Sequence, residues 1–357
     1  MPTGPRCAAF AAAVEAEAAH RLDAFLHGVA CYHAHPYRRS LPEPPVLWRE
    51  GTTRLLDYGL GEGGLPVLLV PSLVNRAYIL DLAEGNSFAR WLARARGLRP
   101  LVVDWGAPGA VERGYSLTDY IAGRLDHALD AALESVGEPG GGRLAVLGYC
   151  MGGLLALALA TRRPEVARLA LLATPWDFHA GPEGVRALAG LAAGLGALWK
   201  PAVTALGEMP VDAIQAMFAA LDPFLVPRKF ARFAGLDPGS AQARCFVALE
   251  DWINDGVALA APVAGECLQG WYGANTPARG AWKVGGRAVD PAGFAGPSLV
   301  VVPQRDRIVP PGSADALAAL LPNARRLRVP LGHIGMVAGR RAQSVLWEPL
   351  ADWLADK

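Results

Sequence analysis

From about residue 52 the chain switches repeatedly between two rhythms of hydrophobic and polar positions. Short, uninterrupted apolar runs bounded by Pro or Gly, such as Pro66–Val70 and Pro100–Asp104, have the form of strands buried on both faces. Thr53–Tyr58 reads as a first strand, and Arg143–Leu147, Leu169–Ala173, Ser298–Val302 and Arg325–Val329 as further ones. Between them, Ser87–Arg96, Gly152–Arg162, Ala314–Leu321 and Arg341–Ala355 read as helices. Strands alternating with helices predict an α/β fold with a mostly parallel central sheet flanked by helices. Ahead of this region, residues 7–30 predict an alanine-rich helix, followed by a connector studded with proline from Pro36 to Pro45. The stretch from Trp176 to Val289 loses the strand rhythm. It carries Trp199, Trp252, Trp271 and Trp282 and an uncharged segment from Ala187 to Trp199. A mainly helical cap inserted between late strands, covering the carboxyl edge of the sheet, accounts for it. The division that results is an N-terminal helix and connector (1–51), a first core part (52–175), a cap (176–289) and a second core part (290–357).

Composition narrows the classes. Of 357 residues 52% are hydrophobic and 19% charged, enough apolar surface to offset the entropy lost on folding and too little charge for a disordered chain. The formal charge of +1 offers no bulk attraction to phosphate backbones, so nucleic-acid binding has no support. Five cysteines without a C-x-x-C pair argue against a disulfide framework and for a reducing compartment. Glu15 and Glu17 interrupt the early alanines where a secretory leader would be apolar. These features predict a cytoplasmic protein. The uncharged run Leu144–Thr161 is long enough to suggest a membrane span, but Gly148, Gly152 and Gly153 sit where strand turns to helix, and a buried strand–turn–helix is the better reading.

That turn carries the chemistry. Gly148-Tyr149-Cys150-Met151-Gly152-Gly153 is a G-x-nucleophile-x-G elbow with cysteine as nucleophile. Such a bend strains the middle residue and needs small neighbours two positions away. The helix start behind it favours a thiolate. A buried structural cysteine in a glycine-rich turn is the plain alternative. The elbow demands an acid and then a histidine further along the chain. Asp306 follows the strand Ser298–Val302, and His333, the only histidine after His179, follows Arg325–Val329 between two glycines. Cys150, Asp306 and His333 are therefore the expected catalytic triad, with His333 as base and Asp306 orienting it. The amide of Met151 is the first oxyanion donor. The second is expected from the loop after Pro66–Val70, at Leu73 or Val74, and Val74 is preferred. Attack of a thiol on a thioester is nearly isoenergetic, so a cysteine here leans towards acyl transfer, although cysteine hydrolases use the same parts.

Several segments in order resemble polyhydroxyalkanoate synthases: Pro71–Leu82, Val103–Gly106, Gly148–Gly153, Trp252–Asp255, Gly286–Asp290, Asp306–Pro311 and Gly332–Gly335. The length and short N-terminal region resemble the short-chain catalytic subunits that work with a second, unrelated subunit. The resemblance implies an α/β-hydrolase fold with a mobile cap and polymerisation of (R)-3-hydroxyacyl-CoA on Cys150, with release of CoA. It implies no cofactor and no metal, only a coenzyme A thioester as substrate. A growing polyester chain, a second synthase subunit and a second copy of the chain are the implied partners, and the surface of a polyester granule an implied location. Met151 stands where the family usually has Gln, Tyr149 where a small or aliphatic residue is common, and Asn275-Thr276-Pro277 matches the family's Asn-x-Leu weakly. A thioesterase, esterase or polyester depolymerase on the same triad, and a non-catalytic granule- or synthase-binding homologue, are the alternatives. Cys31, His33 and His35 suggest either a metal cluster or, more simply, a connector with surface histidines. Asp104 and Trp105 suggest a packed rim. Arg76 and Arg38-Arg39 suggest either contacts to coenzyme A phosphates or solvated surface.

Overall fold

A computed structural model describes residues 5–61, 64–136, 143–181, 190, 194 and 198–355. The apolar runs pair into one eight-stranded sheet. Its strands are β1 (Val46–Glu50), β2 (Thr53–Asp57), β3 (Leu65–Val70), β4 (Leu98–Asp104), β5 (Leu144–Tyr149), β6 (Val166–Leu172), β7 (Ser298–Pro303) and β8 (Ala324–Val329), in the spatial order β1-β2-β4-β3-β5-β6-β7-β8. β1 and β2 are antiparallel to their neighbours, and from β4 to β8 every pairing is parallel. β5 is buried at all six positions, as a continuous apolar run in a sheet covered on both faces should be. Its side chains alternate between two cores. Leu144 and Val146 join Leu68, Leu171 and Val300 on one face, while Ala145 and Leu147 join Val67, Ala170 and Val301 on the other.

The first strand is not Thr53–Tyr58, as the sequence suggested, but Val46–Glu50 one turn earlier. Its half-exposed edge position removes the apolar alternation that would have marked it. At the opposite edge, β8 carries Arg325, Arg326 and Arg328, all exposed, and this charge discourages further strand pairing.

Helices flank both faces. α2 (Phe88–Arg96) starts on Ser87, whose hydroxyl accepts from the Arg90 amide at 3.1 Å, and ends on Gly97 at φ +59°. A helical run over 117–134, ending in α3 (Asp126–Glu134), has no counterpart among the expected elements. α4 (Met151–Ala160) follows the elbow and is entirely buried. The run Leu144–Thr161 is thus strand, turn and helix, and among the described residues no helix is long and apolar enough to cross a membrane.

Between β6 and β7 lies the cap, built from α5 (Val211–Ala220), α6 (Leu225–Ala234), α7 (Ala241–Asn254) and the short helices Ala261–Gly265 and Glu266–Gly273. Its extended pieces are two-residue pairs, Glu208–Met209 with Leu259–Ala260 and Lys283–Val284 with Arg287–Ala288. Most of the uncharged stretch Ala187–Trp199 lies outside the described residues. α1 (Pro5–Ala34) packs on the cap. Phe25 and Tyr32 stack edge-on against Phe230, Tyr32 donates to Asp251 at 2.6 Å, and a Cβ on Gly28 would come within 2.1 Å of the Phe230 carbonyl. The core resumes with β7, is continued by α8 (Pro311–Leu320) and ends on α9 (Glu348–Ala355).

Candidate active site

Cys150 follows the last residue of β5 and precedes the first of α4, at φ +57°, ψ −128°. A non-glycine residue in that region is strained, and the surroundings hold it there. Its amide donates to Leu172 O at 2.8 Å and its carbonyl accepts from Gly153 N at 2.9 Å. The tight bend explains the glycines. A Cβ at position 152 would lie 2.1 Å from Val70 O, one at 153 would lie 1.8 Å from Thr174 Oγ1, and one at 148 would lie 2.4 Å from the Gly153 Cα.

Two later strand ends supply the other polar groups. Asp306 lies in the loop after β7, 7% exposed. Its Oδ1 accepts from the amides of Ile308 and Val309 at 2.8 and 2.9 Å, which leaves Oδ2 to meet His333 Nδ1 at 2.7 Å. His333 is in the loop after β8, 8% exposed. Burial opposes its charge, but the charges of Cys150 and Asp306 and hydrogen bonds with both side chains outweigh it and carry its pKa up to about 10. At neutral pH this arrangement holds an imidazolium beside the sulfur.

Met151 and Val74 both line the cavity into which Cys150 faces. The Val74 amide donates to Ser72 Oγ at 3.2 Å, so that hydroxyl must turn away before the amide can reach an oxyanion. The loop carrying Val74 is tied to the cap. Val257 N donates to Val74 O at 3.1 Å, Asn75 bridges Gly256, Trp252 Nε1 donates to Arg76 O at 2.8 Å, and Arg76 pairs with Asp255 at 3.3 Å.

One supporting residue escaped the sequence reading. Tyr149, noted there only as a departure from the family pattern, is buried and donates to the His333 carbonyl at 3.3 Å, with the two rings 5.3 Å apart. The alternation of β5 could have revealed it, because a residue adjacent to the elbow must point to the face where the histidine loop folds back. Asn275 is a second. At φ +51° it accepts from the Phe178 amide at 3.0 Å and donates to Asp177 at 2.8 Å, fastening the start of the cap to its end.

Other candidates resolve differently. His35 is not a surface histidine: it is 5% exposed, its Nε2 meets Pro238 O at 3.0 Å and its Nδ1 accepts from Tyr37 N at 3.1 Å. Both nitrogens are therefore engaged, and among the described residues no group of three or more ligating side chains gathers. Asp104 pairs with Arg54 at 2.6 Å and Trp105 donates to Pro71 O at 3.0 Å, which makes them rim packing. Arg39 is committed to buried Asp81 at 3.0 Å, and Arg38 to the carbonyls of His35 and Tyr37. With Arg76 on Asp255 at 3.3 Å, each of these arginines already has a polar partner.

The Cys150-lined cavity measures about 290 Å³, and its walls include Phe178, Trp199, Met217, Leu268 and Trp271. A second cavity of about 840 Å³ opens on the other side of the pair and is lined by His333.

Comparison with known proteins agrees with this architecture. Residues 66–337 match the family model for the alpha/beta hydrolase fold. The chain is 31% identical over 299 residues to the poly(3-hydroxyalkanoate) polymerase subunit PhaC of Synechocystis sp., covering 82% of this chain and 78% of that one. It is 29% identical over 327 residues to the subunit of the same name from Allochromatium vinosum, covering 87% and 88%. Among solved structures, MenH from S. aureus superposes with a TM-score of 0.54 at 14% identity, covering 86% of this chain and 100% of that one. A hydrolase from Pseudomonas aeruginosa PA01 superposes with a TM-score of 0.52 at 19% identity, covering 85% and 94%. At those identities the structures speak for the fold alone. The chain thus belongs to the alpha/beta hydrolase fold family and, within it, to the poly(3-hydroxyalkanoate) polymerase subunit PhaC family.

Proposed function

We propose that the chain is the catalytic subunit of a polyester synthase that polymerises (R)-3-hydroxyacyl units from coenzyme A thioesters through a thioester on Cys150. Family membership supports the reaction class. The observation that carries the mechanism is the strained Cys150, which lines an apolar chamber and lies beside a His333 buried against Asp306. His333 takes the thiol proton, the sulfur attacks the thioester carbonyl, and the tetrahedral oxyanion is met by the amides of Met151 and Val74. Collapse expels the coenzyme A thiolate, which takes the proton from His333. A 3-hydroxyl group then gives its proton to His333 and attacks the Cys150 thioester, forming the ester bond and freeing the sulfur. The chamber's apolar walls disfavour water as the competing nucleophile. Asp306 keeps Nδ1 protonated, so that Nε2 exchanges the protons. A second synthase subunit, a second copy and a granule surface complete the proposed setting.

The test incubates purified protein with (R)-3-hydroxybutyryl-CoA, alone and with a second subunit. The expected result is released CoA together with insoluble polyester. CoA release yielding only free 3-hydroxybutyrate would overturn polymerisation in favour of hydrolysis. Cys150→Ala should form no acyl-enzyme by intact mass, while Cys150→Ser should keep the fold and lose most transfer. Full turnover by Cys150→Ala would reject the mechanism.

A further inference from the structure

The nucleophile and the base open onto different spaces. Cys150 lines the apolar chamber and His333 lines the larger cavity, while Arg307 and Ile308 line both. The larger cavity is a vestibule of opposite character. Arg228, Lys229 and Arg232 of α6 face it from the cap, and Arg305 and Arg307, on either side of Asp306, face it from the core. Positions 228, 229 and 232 fall on one face of α6 by helical spacing, so the cap turns a cationic stripe towards the core loop. Among the described lining residues, Asp222 is the sole carboxylate. Arg228 (2.7 Å) and Arg307 both engage it, and Lys229 pairs with Glu250 at 2.7 Å. Arg232 and Arg305 are exposed, and among the described residues neither guanidinium has a carboxylate partner. Cations gathered in a concave space with one acid among them raise the local potential for a polyanion, and guanidinium groups match phosphate oxygens in geometry.

We propose that this vestibule, half cap and half core, holds the phosphates of the thioester's nucleotide carrier, with Arg232 and Arg305 as the principal contacts. This inference rests on the acyl-transfer reading above. It adds a direction to the site: the nucleotide end enters along α6 past His333, its thioester reaches the gap between His333 and Cys150, and the acyl group points into the apolar chamber. Coenzyme A carries a diphosphate and a 3′-phosphate, a charge that suits the vestibule and not the chamber. Bound phosphates would also bridge α6 to the loop of Asp306 and so draw the cap onto the core.

The experiment is a calorimetric titration of Cys150→Ala protein, which cannot turn over, with coenzyme A, dephospho-coenzyme A and pantetheine. Each of Arg232→Gln and Arg305→Gln is expected to weaken coenzyme A binding roughly tenfold, the scale of one charge-assisted contact. The loss should be smaller for dephospho-coenzyme A and absent for pantetheine, and coenzyme A affinity should fall as salt is raised. Arg21→Gln, an exposed arginine on α1 paired with Glu17, should bind coenzyme A as the parent does. Unchanged coenzyme A affinity in both variants, or equal losses for coenzyme A and pantetheine, would overturn the proposal. Because binding is read without turnover, failure of polymerisation in the activity assay leaves this result separate.

Discussion

His333 is a group of the candidate site whose protonation its surroundings shift strongly. Its pKa of about 10 lies above the ordinary value near 6.5, so between the two the folded protein holds a proton that the unfolded chain releases. The stability this contributes is fully present below about pH 6.5 and is lost as pH rises towards 10. Thermal melts from pH 6 to pH 10 should show the wild-type protein losing its advantage over His333→Gln across that window, and parallel curves would contradict the assignment. Tyr149 acts one step back, through the carbonyl of the same residue. Tyr149→Phe keeps the ring contact and removes the hydroxyl, costing about 0.5–1.5 kcal/mol in urea unfolding. It should lower kcat more than KM if His333 is the base proposed above, because what it disturbs is the placement of His333 and not the substrate. His35 shows the limit of reading at this scale. Its spacing beside His33 suggested ligands, but burial against Pro238 could not be foreseen from neighbours in sequence.

At the scale of elements, the strand–elbow–helix unit was plain in the chain because each part has a local cause. An apolar run buried on both faces, three small residues around a strained one, and an apolar helix leave few alternative packings. The packing makes the glycines strict. Gly152→Ala would push a Cβ against the Val70 and Pro71 carbonyls, backbone atoms that cannot move aside, and should destabilise by about 1–3 kcal/mol in denaturant titrations. The cap illustrates the reverse case. Its helical character was evident from the missing strand rhythm, but its fastening depends on single residues. Asn275→Ala orphans the buried Phe178 amide and loses a residue type that tolerates positive φ, so a loss of about 1–3 kcal/mol is expected. Circular dichroism should show the fold retained. β1 went unread because its half-exposed edge position weakens the alternation, whereas the helical run over 117–134 does carry a helical signal, with Leu117, Tyr120, Ile121, Leu125, Ala128, Leu129 and Ala132 buried at helical spacing.

Across the whole molecule, the N-terminal segment, the cap and the core are joined by polar ties between residues far apart in sequence. Asp81, 1% exposed, receives Arg39 from the connector, Arg90 from α2 and the Tyr58 hydroxyl. Asp81→Ala would strip two guanidinium groups of their buried partner, a change expected to cost about 3–5 kcal/mol and measurable as a lower urea midpoint. The same scale joins the Val74 loop to the cap through Trp252, Asp255 and Val257, so the position of the cap and that of the Val74 amide are not independent. Sequence by itself determined the α/β alternation, the elbow at Cys150, and the order in which Asp306 and His333 follow, because each rests on local periodicity or turn chemistry written in consecutive residues. Only the tertiary structure decided that Asp306 spends one oxygen on two amides and the other on His333, that Tyr149 braces the histidine loop, and that Arg232 and Arg305 share a vestibule while Arg39 and Arg76 are already paired. Those outcomes depend on which distant side chains meet in space and how much water is excluded between them, quantities that the pattern along the chain does not encode position by position.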